Sequence, residues 1–490
     1  MTDFLSTVCY IGYHAAVAPA HVAVVESGRG VTYREFYRDI GKMTGALREL
    51  GVGAGETVAV EITGFYRHWV MLLACEALGA ATLSYNASET GPLGGRFAAL
   101  DRVICSSEAA MAGMASAGAV KIHIADQAWL ADAARRDPES LSPSITVDAD
   151  APLRIVKSYG TTGVLELMVQ TGRIHDFWLR QFSFRATMDR KSRYLLTAGF
   201  GVQAFHVHAT SCIRMGGTCV CGNPNEIAAD IGRYGITHAT FIPAQLERIL
   251  EGQGAAPLQP RLKQIFTIGG TAAKPVRDRA RQILVEEISE SYGTNEAGGI
   301  CSMDDDGIGT VFPGVEVQVL DDGGNPVFGS PGRIRLRSDG VVAGYLDDPE
   351  TSARMFRDGW FHPGDIAVLY DQRRLTLAGR VEDYLDIAGT KYSLDVLEKV
   401  LLEALPAKDL CLLSGSPASD GGDEVTLMML ILTDGPQDAD LIRRKAAALL
   451  PGGVDRFNVV EARNIPRGTD GRVQRAKLGW QLKQALTGQQ

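Results

Sequence analysis

Between Val31 and Asn86 the chain reads as helix, strand, helix, strand, and this alternation restricts the possible folds more than any other feature. In VTYREFYRDIGKMTGALRELGVGAGETVAVEI, Thr32 and Glu35 have capping-box spacing, Phe36, Ile40, Met43 and Leu47 recur at helical spacing, and Gly51 stands where a C-terminal cap belongs. A helix ending near Leu50 is expected. Thr57 to Ile62 alternates and is rich in β-branched side chains, which predicts a strand. An apolar helix from about Trp69 and a strand at ATLSYN complete a βαβ unit, and with it an open α/β sheet.

The alternation returns at RYLLTAGF, GITHATFI and LKQIFTIGG. From Gly314 to Leu377 it gives way to short strands with Gly, Pro and Asp turns, the pattern of an antiparallel sheet. Beyond Arg380, DLCLLSG and EVTLMMLILT read as strands and Asp438 to Leu450 as a helix, followed by a polar tail. The expected fold class is therefore α/β. A large N-terminal domain (1–382) has parallel sheets and a small antiparallel, barrel-like sheet, and a small α+β C-terminal domain covers 383–490.

A chain of 490 residues exceeds what one core usually supports, so two or more domains are expected. Its net charge of −9, with no block of Lys or Arg, argues against nucleic acid and an anionic membrane surface, and favours small-molecule partners. The N-terminus lacks the basic and long apolar regions of a secretory signal. The apolar stretch Trp69 to Leu83 is interrupted by Glu76 and is too short to span a bilayer. Eight scattered cysteines without a disulfide framework fit free thiols in a reducing cytoplasm.

KSYGTTGVLELMV (Lys157 to Val169) begins as a turn able to hold phosphate with backbone amides and hydroxyls, but its next charge is Glu166, which would repel an anion. It lacks the spacing of a Walker A loop. Taken with TIGGTAA (Thr267 to Ala273), SYGTNEAGG (Ser291 to Gly299), GWFHPGD (Gly359 to Asp365), GRVEDYLDIAGTKYSLDVLE (Gly379 to Glu398) and IPRGTDGRVQR (Ile465 to Arg475), it forms an ordered series. The series resembles the adenylate-forming superfamily of acyl-CoA synthetases, luciferases and nonribosomal-peptide adenylation domains, over nearly the whole chain.

The resemblance implies roles. Tyr292 would stack on adenine, with Gly269, Gly270 and Thr271 in close backbone contact. Thr161 and Thr162 would steady the phosphate, with Asn295 beside the nucleotide. Asp365 would accept from both ribose hydroxyls, and Arg380 would hold ribose and phosphate. Glu296 would be the magnesium ligand. Phe205, His206 and Gly298 would line the acyl pocket. The C-terminal domain would hinge at Asp383, presenting Arg472 for adenylate formation and Gly389 beside a pantetheine tunnel for thioester formation. The implied ligands are ATP or AMP, an acyl-AMP, coenzyme A and Mg²⁺.

Three departures concern one half-reaction. Leu165-Glu166 replaces the family's Pro-Lys, Asn295 replaces a hydroxyl residue, and Arg472 replaces the C-terminal lysine. Loss of one preorganised electrostatic partner commonly costs about 2.7–4 kcal/mol in the transition state. The AMP-binding and pantetheine features remain. Thioester formation from an acyl-adenylate is therefore expected, with weak or absent attack on ATP and a separate adenylating enzyme as a partner. The alternatives are a full ATP-dependent acyl-CoA synthetase, a non-catalytic relative, and transfer to a carrier protein. Without an Asp in the FHV segment to pair with an α-amine, a carboxylic acid lacking an α-amino group is the expected substrate. In HVHATSCIRMGGTCVC, a zinc site would need His206 and His208 on one strand face and Cys219 and Cys221 on another, without the spacing of a known finger.

Overall fold

The computed structural model describes the chain except residues 1–3, 90–92, 112–119, 142–145, 160–164, 224–225, 254–256, 382–383, 388–389, 416–424, 433–437, 451–453, 462–464, 466–472, 474, 476–477 and 479–490. It divides into two compact units, one of Met1–Ser158, Leu165–Val317 and Leu336–Phe361, the other of Tyr159–Val164, Gln318–Arg335 and His362–Gln490. The expected boundary at 382 and 383 lies outside the described residues.

In the first unit, the helix Tyr33–Glu49 begins at a complete capping box: Glu35 N donates to Thr32 Oγ1 at 3.2 Å and Thr32 N to Glu35 Oε2 at 2.8 Å. Its apolar face packs on the buried helix Phe65–Ala77. That helix joins the parallel strands Thr57–Glu61 and Ala81–Ser84, as the βαβ pattern predicts. Their sheet runs Leu165–Thr171, Pro152–Tyr159, Ala81–Ser84, Thr57–Glu61, Arg102–Cys105, Lys121–Ile124.

A second parallel run of the same unit is ordered Val22–Glu26, Thr218–Cys221, Arg193–Leu196, His238–Phe241, Leu262–Thr267, Val285–Thr294, and continues antiparallel into Gly298–Met303 and Ile308–Val311. The helices Gly172–Arg185 and Gln203–Arg214 pack together, and both contribute to the main apolar core with Trp178, Phe182, Phe205 and Ile213.

The strand reading of the HVHATSC segment is wrong: residues 203–214 are helical. Phe205, Ala209, Cys212 and Ile213 have helical spacing, but burial on nearly every face hides the amphipathic signal.

In the second unit, Asp365–Leu369 pairs antiparallel with Arg374–Arg380 and with part of Pro331–Arg337. Farther along, Asp409–Gly415, Val425–Leu432 and Val454–Glu461 form a three-stranded sheet. The helices Leu394–Ala404 and Ala439–Ala447 cover it around Leu401, Leu410, Met429 and Ile442. This is the expected α+β arrangement. Among the described residues no helix is long and apolar enough to cross a membrane, and no disulfide joins any of the eight cysteines.

Candidate active site

Tyr292 stands half-buried near the end of Val285–Thr294, opposite Cys301, where the register with Gly298–Met303 shifts. At Gly293 a Cβ would come within 2.5 Å of the Gly298 carbonyl oxygen, so only glycine permits this close turn. The turn is fastened on both sides. Ala297 N donates to Thr294 Oγ1 at 3.1 Å, and Asn295 Nδ2 donates to the Lys157 carbonyl at 3.1 Å. Asn295 thus ties the turn to the strand Pro152–Tyr159, a structural use that the comparison with a hydroxyl residue did not reveal. Glu296 is buried, and its Oε1 accepts from Tyr345 OH at 3.2 Å. Burial first, then the Glu296 carboxylate, pushes the Tyr345 phenol upward.

Gly269 and Gly270 have φ of 73° and 155° and, with Thr271, form an exposed bend after Leu262–Thr267. A residue missed in the sequence reading holds this bend. Glu290 Oε1 accepts from Thr267 Oγ1 at 3.1 Å and from Ala272 N at 3.0 Å, while Oε2 pairs with Arg277 Nη1 at 2.8 Å. Glu290 and Tyr292 lie two apart on one strand, so both project from the same face. An acid two residues before the aromatic was the available signal.

Thr161 and Thr162 lie outside the described residues, but both flanks of their loop are described. Lys157 Nζ contacts both Glu89 carboxylate oxygens at 2.6 Å. Burial pushes the Lys157 amine down, and Glu89 opposes that shift. Glu166 belongs to the strand Leu165–Thr171, not to the loop, and its Oε2 lies 3.1 Å from Arg96 Nη1. The contact is an ion pair bent away from hydrogen-bond geometry. Burial raises the Glu166 carboxyl pKa, and Arg96 opposes the rise. The expectation of a bare repelling anion is corrected: Glu166 is buried and charge-compensated. Each of the two cations, Lys157 and Arg96, is thereby tied to a carboxylate.

Of the residues expected to line the acyl pocket, Gly298 (φ 70°) faces Trp178, whose Nε1 would stand 2.6 Å from an added Cβ. Trp178 Nε1 donates to the Gly340 carbonyl at 2.8 Å, which fixes the indole. Phe205 and His206 are buried on Gln203–Arg214. The His206 ring lies 5.2 Å from that of His175 and 5.9 Å from that of Phe200. His208 turns elsewhere, stacking on Phe182 at 3.8 Å and meeting Thr240 Oγ1 through Nδ1 at 2.7 Å. On a helix, residues two apart point in different directions, so the geometry imagined for zinc is not formed.

In the second unit, Asp365 and Arg380 are cross-strand partners. Arg380 Nη1 donates to Asp365 Oδ1 at 3.2 Å and Nη2 to the Pro363 carbonyl at 3.0 Å. The sequence treated them as two separate ligands; the strand register makes them a pair. Asp383, Gly389 and Arg472 lie outside the described residues. Arg475, from the last motif, donates to Glu398 Oε1 at 2.7 Å and anchors that segment to the helix Leu394–Ala404.

Among the described residues no three His, Cys, Asp or Glu side chains converge as a metal cluster. Mg²⁺ in nucleotide sites typically takes one or two carboxylates and completes its shell with phosphates and water, so Glu296 fits that mode of binding.

The family profile described as AMP-binding enzyme matches residues 12–346. The chain is 24% identical to the fatty acid–[acyl-carrier-protein] ligase ScoC of Streptomyces coeruleorubidus, covering 95% of this chain and 94% of that one. It is 23% identical to a 2-succinylbenzoate–CoA ligase of Listeria monocytogenes, covering 94% and 97%. In fold it is similar to ATP-bound MatB from Rhodopseudomonas palustris, with a TM-score of 0.79 at 18% identity over 98% and 100% of the two chains. It is also similar to Bacillus subtilis MenE in complex with the acyl-adenylate OSB-AMP, with a TM-score of 0.77 at 18% identity over 98% of each. The match spans more than half of the chain and contains the Tyr292 strand, its glycine bend and Glu296: the chain belongs to the AMP-binding enzyme family, within the adenylate-forming superfamily.

Proposed function

We propose that the chain is an acid–thiol ligase that forms a thioester from an acyl-adenylate and attacks ATP poorly. One observation carries this reading: Lys157, four residues before Thr161 in the Thr161-Thr162 segment, and Arg96, the partner of Glu166 just after it, are each bound to a carboxylate, Glu89 and Glu166, so neither is a spare counter-charge for a triphosphate tail. An AMP ester carries one phosphate and needs less. Its phosphate would rest on backbone amides and the hydroxyls of Thr161 and Thr162.

In the first unit, Tyr292 offers the adenine its aromatic face, Gly269, Gly270 and Thr271 approach it through backbone, and Asn295 holds the turn. In the second, Asp365 accepts from the ribose hydroxyls, oriented by Arg380. Phe205, His206 and Gly298 wall the acyl group. Arg472 and Gly389 serve the two half-reactions, with Asp383 as the hinge and residues 383–490 as the moving domain. Glu296 would hold Mg²⁺, which supplies charge neutralisation at phosphate oxygens when bound.

In the reaction the thiolate sulfur attacks the acyl carbonyl carbon. A C–S bond forms, the acyl C–O bond to phosphate breaks, AMP departs with the bonding pair, and the thiol proton goes to solvent. The acceptor is the pantetheine thiol of coenzyme A or of a carrier protein, the two kinds named among the relatives. A separate adenylating enzyme supplies the mixed anhydride.

A complete ATP-dependent ligase is favoured by one fact, that Arg96 neutralises Glu166 and removes its repulsion. Supplying purified acyl-adenylate plus coenzyme A, against acid plus ATP plus coenzyme A, separates the two. The expected advantage of the adenylate route is about 10²-fold or more. Equal turnover in both mixtures would refute the restricted reading.

A further inference from the structure

Around His206 lies a group of buried polar side chains drawn from the strands Pro152–Tyr159 and Leu165–Thr171 and the helix Gln203–Arg214, which with the space between them we term a recess. Arg154, on Pro152–Tyr159, donates through Nη2 to the Phe200 carbonyl at 3.0 Å, while its Nε finds no acceptor among the described residues. Gln203 Nε2 donates to Gln170 Oε1 at 3.1 Å, and Gln170 Nε2 finds no acceptor. His206 Nδ1 is likewise buried without a partner. The exposures of Arg154, Gln170, Gln203 and His206 are 4%, 0%, 6% and 5%, so bulk water does not satisfy these atoms.

The groups are linked by a chain of contacts. Phe200, whose carbonyl holds Arg154, lies with its ring beside His206, and His206 sits one turn along the helix from Gln203. His206 also faces His175, which shares the helix Gly172–Arg185 with the Trp178 that walls Gly298.

The chemistry of the orphaned atoms is one-sided. Arg154 Nε and Gln170 Nε2 are donors, and the recess carries a formal positive charge. Among the described residues no carboxylate is within ion-pairing distance of Arg154. Glu76, whose charge acts on it, is already holding Ser6 Oγ at 2.6 Å and Thr7 N at 2.7 Å. Burial pushes the guanidinium down to about 10, still protonated at neutral pH. A buried cation with donors to spare calls for an anion rich in acceptors.

We propose that this recess receives a second carboxylate, at the end of the acyl group remote from the reacting one, so that the substrate is the monoadenylate of a dicarboxylic acid. A planar guanidinium presents parallel N–H groups that suit both oxygens of a carboxylate, and Gln170 Nε2 supplies a further donor. Arg154 and Gln170 are then specificity-determining residues that touch the far end of the substrate. The inference rests on the reading of the chain as a thioester-forming ligase.

The test uses the full-length chain and chemically prepared monoadenylates of dicarboxylic acids from four to eight carbons, with their monomethyl-ester counterparts as neutral controls. Thioester formation with coenzyme A should favour the free acid over its ester at the best chain length. About 10²-fold in kcat/KM is expected, the effect of leaving a buried charged donor unpaired. Arg154→Met should collapse that ratio toward one, and Arg154→Lys should restore it in part.

Equal use of free acid and ester by the unmodified protein would overturn the inference, assign the recess to buried water and leave the ligase reading intact. If no adenylate yields a thioester, calorimetric binding of the same compounds decides. A free-acid preference in affinity sustains the recess while the ligase reading fails, and equal affinity overturns it.

Discussion

Glu166 and Arg154 sit on neighbouring strands of one sheet, both buried and both charged, and they differ in company. Glu166 has Arg96 at 3.1 Å; Arg154 has one backbone carbonyl and no carboxylate in reach among the described residues. The charge of Glu166, matched by Arg96, serves the scaffold there. The open charge of Arg154 is the one proposed to meet a ligand. Glu166 is therefore one half of a resettled ion pair, while Arg154 is an open cation on the neighbouring strand of the same sheet.

The strongest way to break this contrast is to remove each cation in turn. Arg96→Met strands a buried carboxylate and should lower the stability of the first unit by about 3 kcal/mol, read from its urea midpoint. Adding Glu166→Gln should recover most of that loss. Arg154→Met, which replaces an unmatched cation by an apolar chain, should leave the midpoint unchanged or raise it. Equal losses for both variants would erase the distinction.

Glu290 extends the comparison to a third buried charge, one whose match also shapes the Gly269-Gly270 bend. Glu290→Gln weakens the bond to Arg277 and loosens the Thr267 and Ala272 contacts, costing about 1–3 kcal/mol in stability. As a positioning residue it should raise KM for the adenylate more than it lowers kcat. A change in kcat alone would place Glu290 outside that role.

The smallest effect is in pH dependence, where the two regions have opposite signs. His175 and His206 are held well below their ordinary value of 6.5, by burial first and by nearby arginines second. Between their folded and unfolded values the unfolded chain binds more protons, so stability falls as pH drops below 6.5, by up to about 1.4 kcal/mol per pH unit for each. The Glu166 pKa is raised, by burial first, so its contribution falls as pH rises through the window above 4.5. Arg154→Met should narrow the pH window of the histidine part from its acid side, because it removes one cause that keeps them neutral while burial remains. An unchanged acid-side limit would deny Arg154 its influence there.

What the sequence disclosed depended on range. The helix Tyr33–Glu49 with its capping box was legible because every determinant lies within one turn or one stripe. Gly269 and Gly270 were marked by the resemblance alone, and the close turn at Gly293, where a Cβ would meet the Gly298 carbonyl, showed only in the fold. The pairs Arg96–Glu166, Lys157–Glu89 and Arg277–Glu290 were not legible, since each joins separate elements that only the fold brings together. Glu166 was therefore read as a loop anion, and the matching arginine went unseen. The helix Gln203–Arg214 was misread for a related reason: a segment enclosed on nearly all sides carries no polar stripe to mark its period.

The core of the proposed function is that the site prefers an AMP ester to a nucleoside triphosphate. Calorimetric titration of one preparation with a non-hydrolysable acyl-AMP mimic and then with ATP and Mg²⁺ measures this without any turnover. The mimic should bind about 10²-fold more tightly, and Asp365→Ala should weaken its binding. ATP binding as tightly as the mimic, or no affinity for the mimic at all, would contradict it.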